Sequence, residues 1–215
     1  MDRGMERMTK DKKAIYILLT DTGTIVSQPI KWFTNAPYNH VSIVFDDQLR
    51  EVYSFARKKP HNPWVAGFIK EEIYAGRFFE DTTCTLLKFY VSEEEFMKMR
   101  QIVQYFKENE EKLTYNLPGL FGVLIRYPIK KKNAYFCSQF VAEVFLKSGV
   151  YFWDLPPELI TPNHFFTNKN FEVIYEGRLY DCPFLVKEEI RNDLPRRLVS
   201  GLVEKIKSFF PSPNL

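Results

Sequence analysis

Three short apolar runs set the frame for this chain: residues 13–20 (KAIYILLT), 40–46 (HVSIVFD) and 83–91 (TCTLLKFYV), each closed by polar or turn-forming residues. Runs of this length, rich in β-branched and aromatic side chains, read as strands. The first is apolar almost throughout and predicts a buried strand, while the second alternates. Residues 50–56 (REVYSFA) follow an Asp46-Asp47-Gln48 turn and predict the returning arm of an antiparallel hairpin. Residues 171–180 (FEVIYEGRLY) predict one more strand or a bent pair. Two helices stand between these strands. Ser92-Glu93-Glu94-Glu95 has a capping-box pattern, with acidic residues where the helix dipole favours them. Phe96, Met99, Val103 and Phe106 then recur at helical spacing, carrying this helix to about Asn109. The second helix runs from about Phe136 to Ser148 and is closed by Gly149.

The remaining segments are less regular. Residues 24–34 predict a short helix against the resistance of Pro29, and Pro37 and Asn39 mark a turn. Residues 57–80, with Pro60, Pro63 and Gly67, read as an irregular excursion and a flap over a cleft. Residues 112–129 stay open between strand and loop, and Pro156, Pro157 and Pro162 punctuate a loop. Leu194 to Phe210 predicts a last amphipathic helix, with Leu198, Val199, Leu202, Val203, Ile206 and Phe209 on its apolar face. That face either docks on the domain or meets a partner or membrane surface. The organisation expected is therefore a flexible N-terminus over 1–12, one domain over 13–192, and a C-terminal helix and tail over 193–215.

Composition excludes several classes. With 45% hydrophobic and 27% charged residues, the 215-residue chain has the balance of a globular protein. The 30 basic and 27 acidic side chains leave only +3, too balanced for a nucleic-acid binder. The main basic cluster, Lys130-Lys131-Lys132, reads as a solvated loop or as a contact for phosphate or an anionic surface. Met1 to Lys13 is polar, the run Ala14–Leu19 is too short for a signal peptide, and nothing approaches the roughly 18 apolar residues of a membrane span. A cytoplasmic protein is expected. Three cysteines, an odd number, fit reduced thiols better than a disulfide framework.

Position sorts the residues that carry chemistry. Cys84 lies in an apolar strand, and Cys182 precedes Pro183 in a loop. Cys137 occupies the first turn of a helix, where partial positive charge and free N–H groups favour a thiolate and can hold an oxyanion. It also shares a face with Val141 and Val144, so a buried structural cysteine is the alternative. His40 opens a strand beside a turn, accessible and rigidly held, and an imidazole suits a general base for a thiol. The alternative is a surface or hydrogen-bonding histidine. His61 reads as exposed and His164 as structural. No zinc-ligand spacing, Gly-rich phosphate loop or G-x-S-x-G elbow occurs, so no metal or cofactor is expected.

Taken together, Asn39-His40-Val41-Ser42-Ile43-Val44 and Phe136-Cys137-Ser138-Gln139-Phe140-Val141 resemble the circularly permuted branch of the NlpC/P60 papain-like superfamily. The similarity is to its YiiX/YebB-like proteins, with lecithin–retinol acyltransferase-like enzymes more distant. Residues 157–163 (PELITPN) are similar to the Thr-Pro turn that often follows the Cys helix there. The resemblance covers roughly residues 13–180. It implies an α+β, circularly permuted papain-like NlpC/P60 fold, an antiparallel sheet packed against a Cys-bearing helix. It also implies Cys137 as nucleophile, His40 as base, and a third polar group on the next strand that orients the histidine. Relatives often carry Glu or His at that third place. Here the slot falls within Glu51-Val52-Tyr53-Ser54, with Ser54 nearest and Tyr53 or Glu51 as alternatives.

The function this implies is a cysteine-dependent hydrolase or acyltransferase acting on an amide or ester in a peptide, an isopeptide or a lipid acyl group. The alternative is a non-catalytic module that keeps the fold for binding. The expected partner is a peptide-like or acyl-bearing small substrate.

Overall fold

A computed structural model of the protein describes residues 12–21, 37–59, 62–75, 79 and 81–192. Six strands form one antiparallel sheet: β1 (Lys12–Asp21), β2 (His40–Val44), β3 (Val52–Lys59), β4 (Asn62–Lys70), β5 (Thr83–Ser92) and β8 (Glu172–Arg178), in the order β4-β3-β2-β1-β5-β8. A two-stranded parallel pair, β6 (Thr114–Tyr115) with β7 (Ala134–Tyr135), stands apart. The described helices are α1 (Glu93–Glu108), α2 (Leu117–Leu124), α3 (Cys137–Ser148), α4 (Pro162–Phe166) and α5 (Lys187–Asn192). The architecture is α+β.

The apolar run of β1 is explained by burial on both sides. Ile15, Ile17 and Leu19 face the helical layer, where Met99, Val103 and Phe106 of α1 and Phe140, Val141 and Val144 of α3 complete a single core. Tyr16 and Leu18 point the other way, onto Leu179, Cys182 and Leu185 of the segment after β8. A strand covered on two faces has no polar side left to display. In the main core the rings of Phe55, Phe68, Phe106 and Phe140 interlock at centroid distances of 5.0–6.1 Å, mostly edge to face. Each such ring, fully buried, stabilises the fold by about 1.5–3 kcal/mol.

Local chemistry sets the element ends. Ser92 and Glu95 form the anticipated capping box: the Glu95 N–H donates to Ser92 Oγ at 3.2 Å and the Ser92 N–H to Glu95 Oε2 at 2.8 Å. Gly149 closes α3 with φ of 89°, a left-handed conformation that glycine adopts without strain. In the hairpin loop the Asp46 carboxylate accepts the backbone N–H groups of Gln48, Arg50 and Glu51 at 2.6–3.1 Å.

Two expectations need correction. Residues 57–80 are not irregular throughout, because residues 57–59 complete β3 and Asn62–Lys70 form β4. β4 is the outermost strand, and a border strand tolerates Pro63 because its N–H groups need not all enter a ladder. Residues 112–129 are neither strand nor loop alone, for they hold β6 and α2. The Asn116 side chain accepts from Gly119 N–H at 3.0 Å and Pro118 sits in the first turn, so capping starts a helix that two glycines disguise in the sequence. Residues 171–180 make one strand followed by a 3-10 turn over Leu179–Asp181. The helices expected over 24–34 and 194–210 lie outside the described residues. Among the described residues no helix is long and apolar enough to cross a membrane.

Candidate active site

β2 delivers His40 at its first residue, and β3 and β4 build the wall behind it. Ile43 pairs with Tyr53, which brings Ser42 and Ser54 side by side on adjoining strands. Ile69 of β4 pairs with Ser54, and the Glu71 N–H donates to the Val52 carbonyl at 2.8 Å. Glu71 thus arrives one alternation beyond Ile69 with its backbone pinned. Its Oε1 lies 2.8 Å from His40 Nε2 and accepts the Ser42 hydroxyl at 2.6 Å. Ser54 Oγ lies 3.1 Å from His40 Nε2, and Ser42 Oγ lies 3.3 Å from it. The histidine side chain is 13% exposed and the carboxylate 4%.

Cys137 stands at the first position of α3, near enough to the ring that its thiol is among the groups that raise the His40 pKa. The first bond of the α3 ladder runs from Phe140 N–H to Phe136 O at 2.9 Å, and no side chain caps the helix. The N–H groups of Cys137, Ser138 and Gln139 therefore precede the ladder, at the helix end that carries the sulfur. The Ser138 hydroxyl is tied to the Ile160 carbonyl at 2.6 Å, which fixes this first turn.

The electrostatics of the trio are decided by two opposed effects. Burial alone pushes the His40 pKa down; the Glu71 charge, then the Cys137 thiol, overcome it and carry the value up to about 10. Burial likewise pushes the Glu71 carboxyl up, and the His40 charge with the hydrogen bonds from His40, Ser42 and Ser54 brings it below its ordinary range. The stable form of the pair at neutral pH is imidazolium and carboxylate. Tyr115, just before the α2 excursion, is the next polar neighbour. Burial, then the neighbouring Cys137, push its phenol well above the ordinary value, so it remains a neutral hydroxyl.

Of the residues read from sequence, the structure brings Cys137, His40 and Ser54 together. It does not bring in the alternatives to Ser54. Tyr53 turns to the helical side and stacks on Phe68 at 6.0 Å, and Glu51 makes a two-pronged ion pair with Arg100 at 2.7 and 2.9 Å. Sequence reasoning missed Glu71, the carboxylate on the histidine, because it lies inside a segment read as irregular. A signal was present: Gly67-Phe68-Ile69-Lys70 before it can pair with the 50–56 strand and carry an acid back to the serine. His164 is structural as expected. Its Nδ1 accepts the Thr161 N–H at 3.0 Å, and burial lowers its pKa. His61 lies outside the described residues. Cys84 and Cys182 lie in the second core, where burial raises both thiols, Cys84 to about 12. Among the described residues no cluster of three or more His, Cys, Asp or Glu is placed to hold a metal ion. No family model matches the chain, and no curated protein matches it.

Proposed function

We propose that the protein is a cysteine-dependent hydrolase or acyltransferase with a circularly permuted papain-like fold, in which Cys137 is the nucleophile, His40 the acid and base, and Glu71 with Ser54 the group that orients the ring. One observation carries the reading: the His40 ring is shared between a helix-terminal thiol and a buried carboxylate, an arrangement with a use in acyl transfer. The sulfur attacks a carbonyl carbon, and the oxygen takes the negative charge beside the first-turn N–H groups of α3. The carbon–nitrogen or carbon–oxygen bond then breaks, and the His40 proton goes to the leaving amine or alcohol. Neutral His40 next takes a proton from water or an acceptor hydroxyl or amine, which attacks the thioester. The carbon–sulfur bond breaks and the starting pair returns. The substrate is an amide or ester of a peptide, an isopeptide or a lipid acyl group.

One observation favours the competing reading, a binding module without turnover: Cys137 is only 6% exposed. Alkylation by iodoacetamide at neutral pH separates the two. The enzyme reading expects fast modification confined to Cys137, with Cys84 and Cys182 silent in the folded protein, and loss of that speed in both His40→Ala and His40→Asn under conditions where circular dichroism shows each variant folded. A rate no greater than that of a free thiol, or one indifferent to His40, refutes it.

A further inference from the structure

The site does not account for the segment between β6 and β7. Residues 117–132 read LPGLFGVLIRYPIKKK, holding four cations and no acid. α2 itself has no polar side chain, yet Phe121 on it and Ile125 and Tyr127 just after it are 65–70% exposed. Arg126, Lys131 and Lys132 are exposed beside them, and Lys130 reaches Glu158 only at 3.6 Å. The excursion carries more positive charge than the +3 of the whole chain.

Its shape is fixed in advance. The Tyr127 N–H donates to the Gly122 carbonyl at 2.9 Å, and a Cβ on Gly122 would stand 2.5 Å from the Tyr127 carbonyl oxygen, so only glycine admits the fold-back. Arg126 turns the chain with φ of 54°. Asn116 Nδ2 donates to the Ile129 carbonyl at 3.1 Å and to Gln139 Oε1 at 3.2 Å, closing the base of the excursion onto the first turn of α3.

We infer that this excursion is a docking surface for an anionic phospholipid bilayer, with Phe121, Ile125 and Tyr127 entering the interface and Arg126 with Lys130–Lys132 meeting the headgroups. Three features favour lipid over a protein partner. Exposed aromatic and aliphatic side chains next to lysines are the composition of interfacial segments, tyrosine being suited to headgroup depth. Lysine is depleted from the cores of protein interfaces. The charge has one sign, complementary to an anionic leaflet. The surface is independent of whether Cys137 turns over a substrate.

The test is co-sedimentation of the full chain with phosphatidylcholine vesicles and with vesicles in which part of that lipid is phosphatidylserine. Binding is expected to the anionic vesicles, to weaken with added salt, and to persist in Cys137→Ala. With about a fivefold factor for each cation near the surface, the combined Lys130→Ser, Lys131→Ser and Lys132→Ser variant should bind roughly a hundredfold more weakly. Phe121→Ser with Ile125→Ser and Tyr127→Ser should release the protein at an unchanged thermal midpoint. The inference is overturned if the wild type binds neither vesicle, or if both variants bind as the wild type does. It is also overturned if the apolar substitutions turn a dimer into a monomer and leave vesicle binding intact, which would make a second copy of the chain the occupant.

Discussion

Replacing Glu71 by Gln removes one negative charge from beside a buried imidazole and keeps the size of the side chain. In the wild type burial lowers the His40 pKa, and the Glu71 charge, then the Cys137 thiol, raise it to about 10, so removing the Glu71 charge lowers it. At about 1.36 kcal/mol per pH unit, the whole rise from 6.5 is on the order of 5 kcal/mol, which bounds from above what the Glu71 charge supplies. Glu71→Gln should therefore carry a neutral His40 at pH 7, and alkylation of Cys137 should slow roughly hundredfold, the size of a lost acid–base partner. The chain has three histidines, so nitrogen-15 spectra of histidine-labelled protein, assigned with His40→Asn, can follow each ring. Stability must follow the same shifts. The raised His40 contributes fully below pH 6.5 and loses its contribution as pH rises through about 10. The lowered Glu71 contributes above its ordinary 4.5 and loses its contribution as pH falls through its folded value. Urea midpoints of the wild type should be highest between about pH 4.5 and 6.5 and fall off on both sides, a profile that Glu71→Gln lacks. A wild-type His40 that titrates near 6.5, or one that Glu71→Gln leaves unmoved, refutes the electrostatic account of the site.

Two further substitutions probe the support of the site. Ser54→Ala deletes one of the hydroxyls on Nε2 and leaves the Glu71 contact, so it should cost about 1 kcal/mol and slow Cys137 alkylation by no more than about tenfold; a loss as large as that of Glu71→Gln would make the serine the principal orienting group. Phe140→Ala empties the centre of the aromatic cluster behind the Cys helix and should lower stability by about 3–5 kcal/mol in denaturant titration, whereas a cost below 1 kcal/mol would mean that the rings are not packed as described.

The strands that carry the site were legible where both faces or one face of a strand was buried. β1 announces itself as an unbroken apolar run because both of its sides are covered, and the β2–β3 hairpin by alternation around an aspartate turn. α1 and α3 were legible because their ends are written locally, in the Ser92–Glu95 box and in Gly149. Glu71 was not legible for the opposite reason. The strand that delivers it is stabilised by its neighbour and not by its own composition, and Pro63 and Gly67 mask it. The pairing of Ile69 with Ser54 is a tertiary fact. The same holds for α2, whose helix depends on the Asn116 cap and on a fold-back through Gly122 that no periodicity encodes. Ser54, which the resemblance implied, does lie beside His40, but the charge that acts on the histidine comes from one strand further out.

That placement sets how the site fails on warming. The carboxylate rides on the last rung of a strand laddered on one side only, and border strands breathe at a lower free energy than the centre of a sheet. Each outward excursion of this strand carries the acid away from the imidazole while β1, β2 and the Cys helix stay in place. Heat inactivation should therefore precede global melting, and deuterium should reach the Glu71 amide before it reaches those of β1.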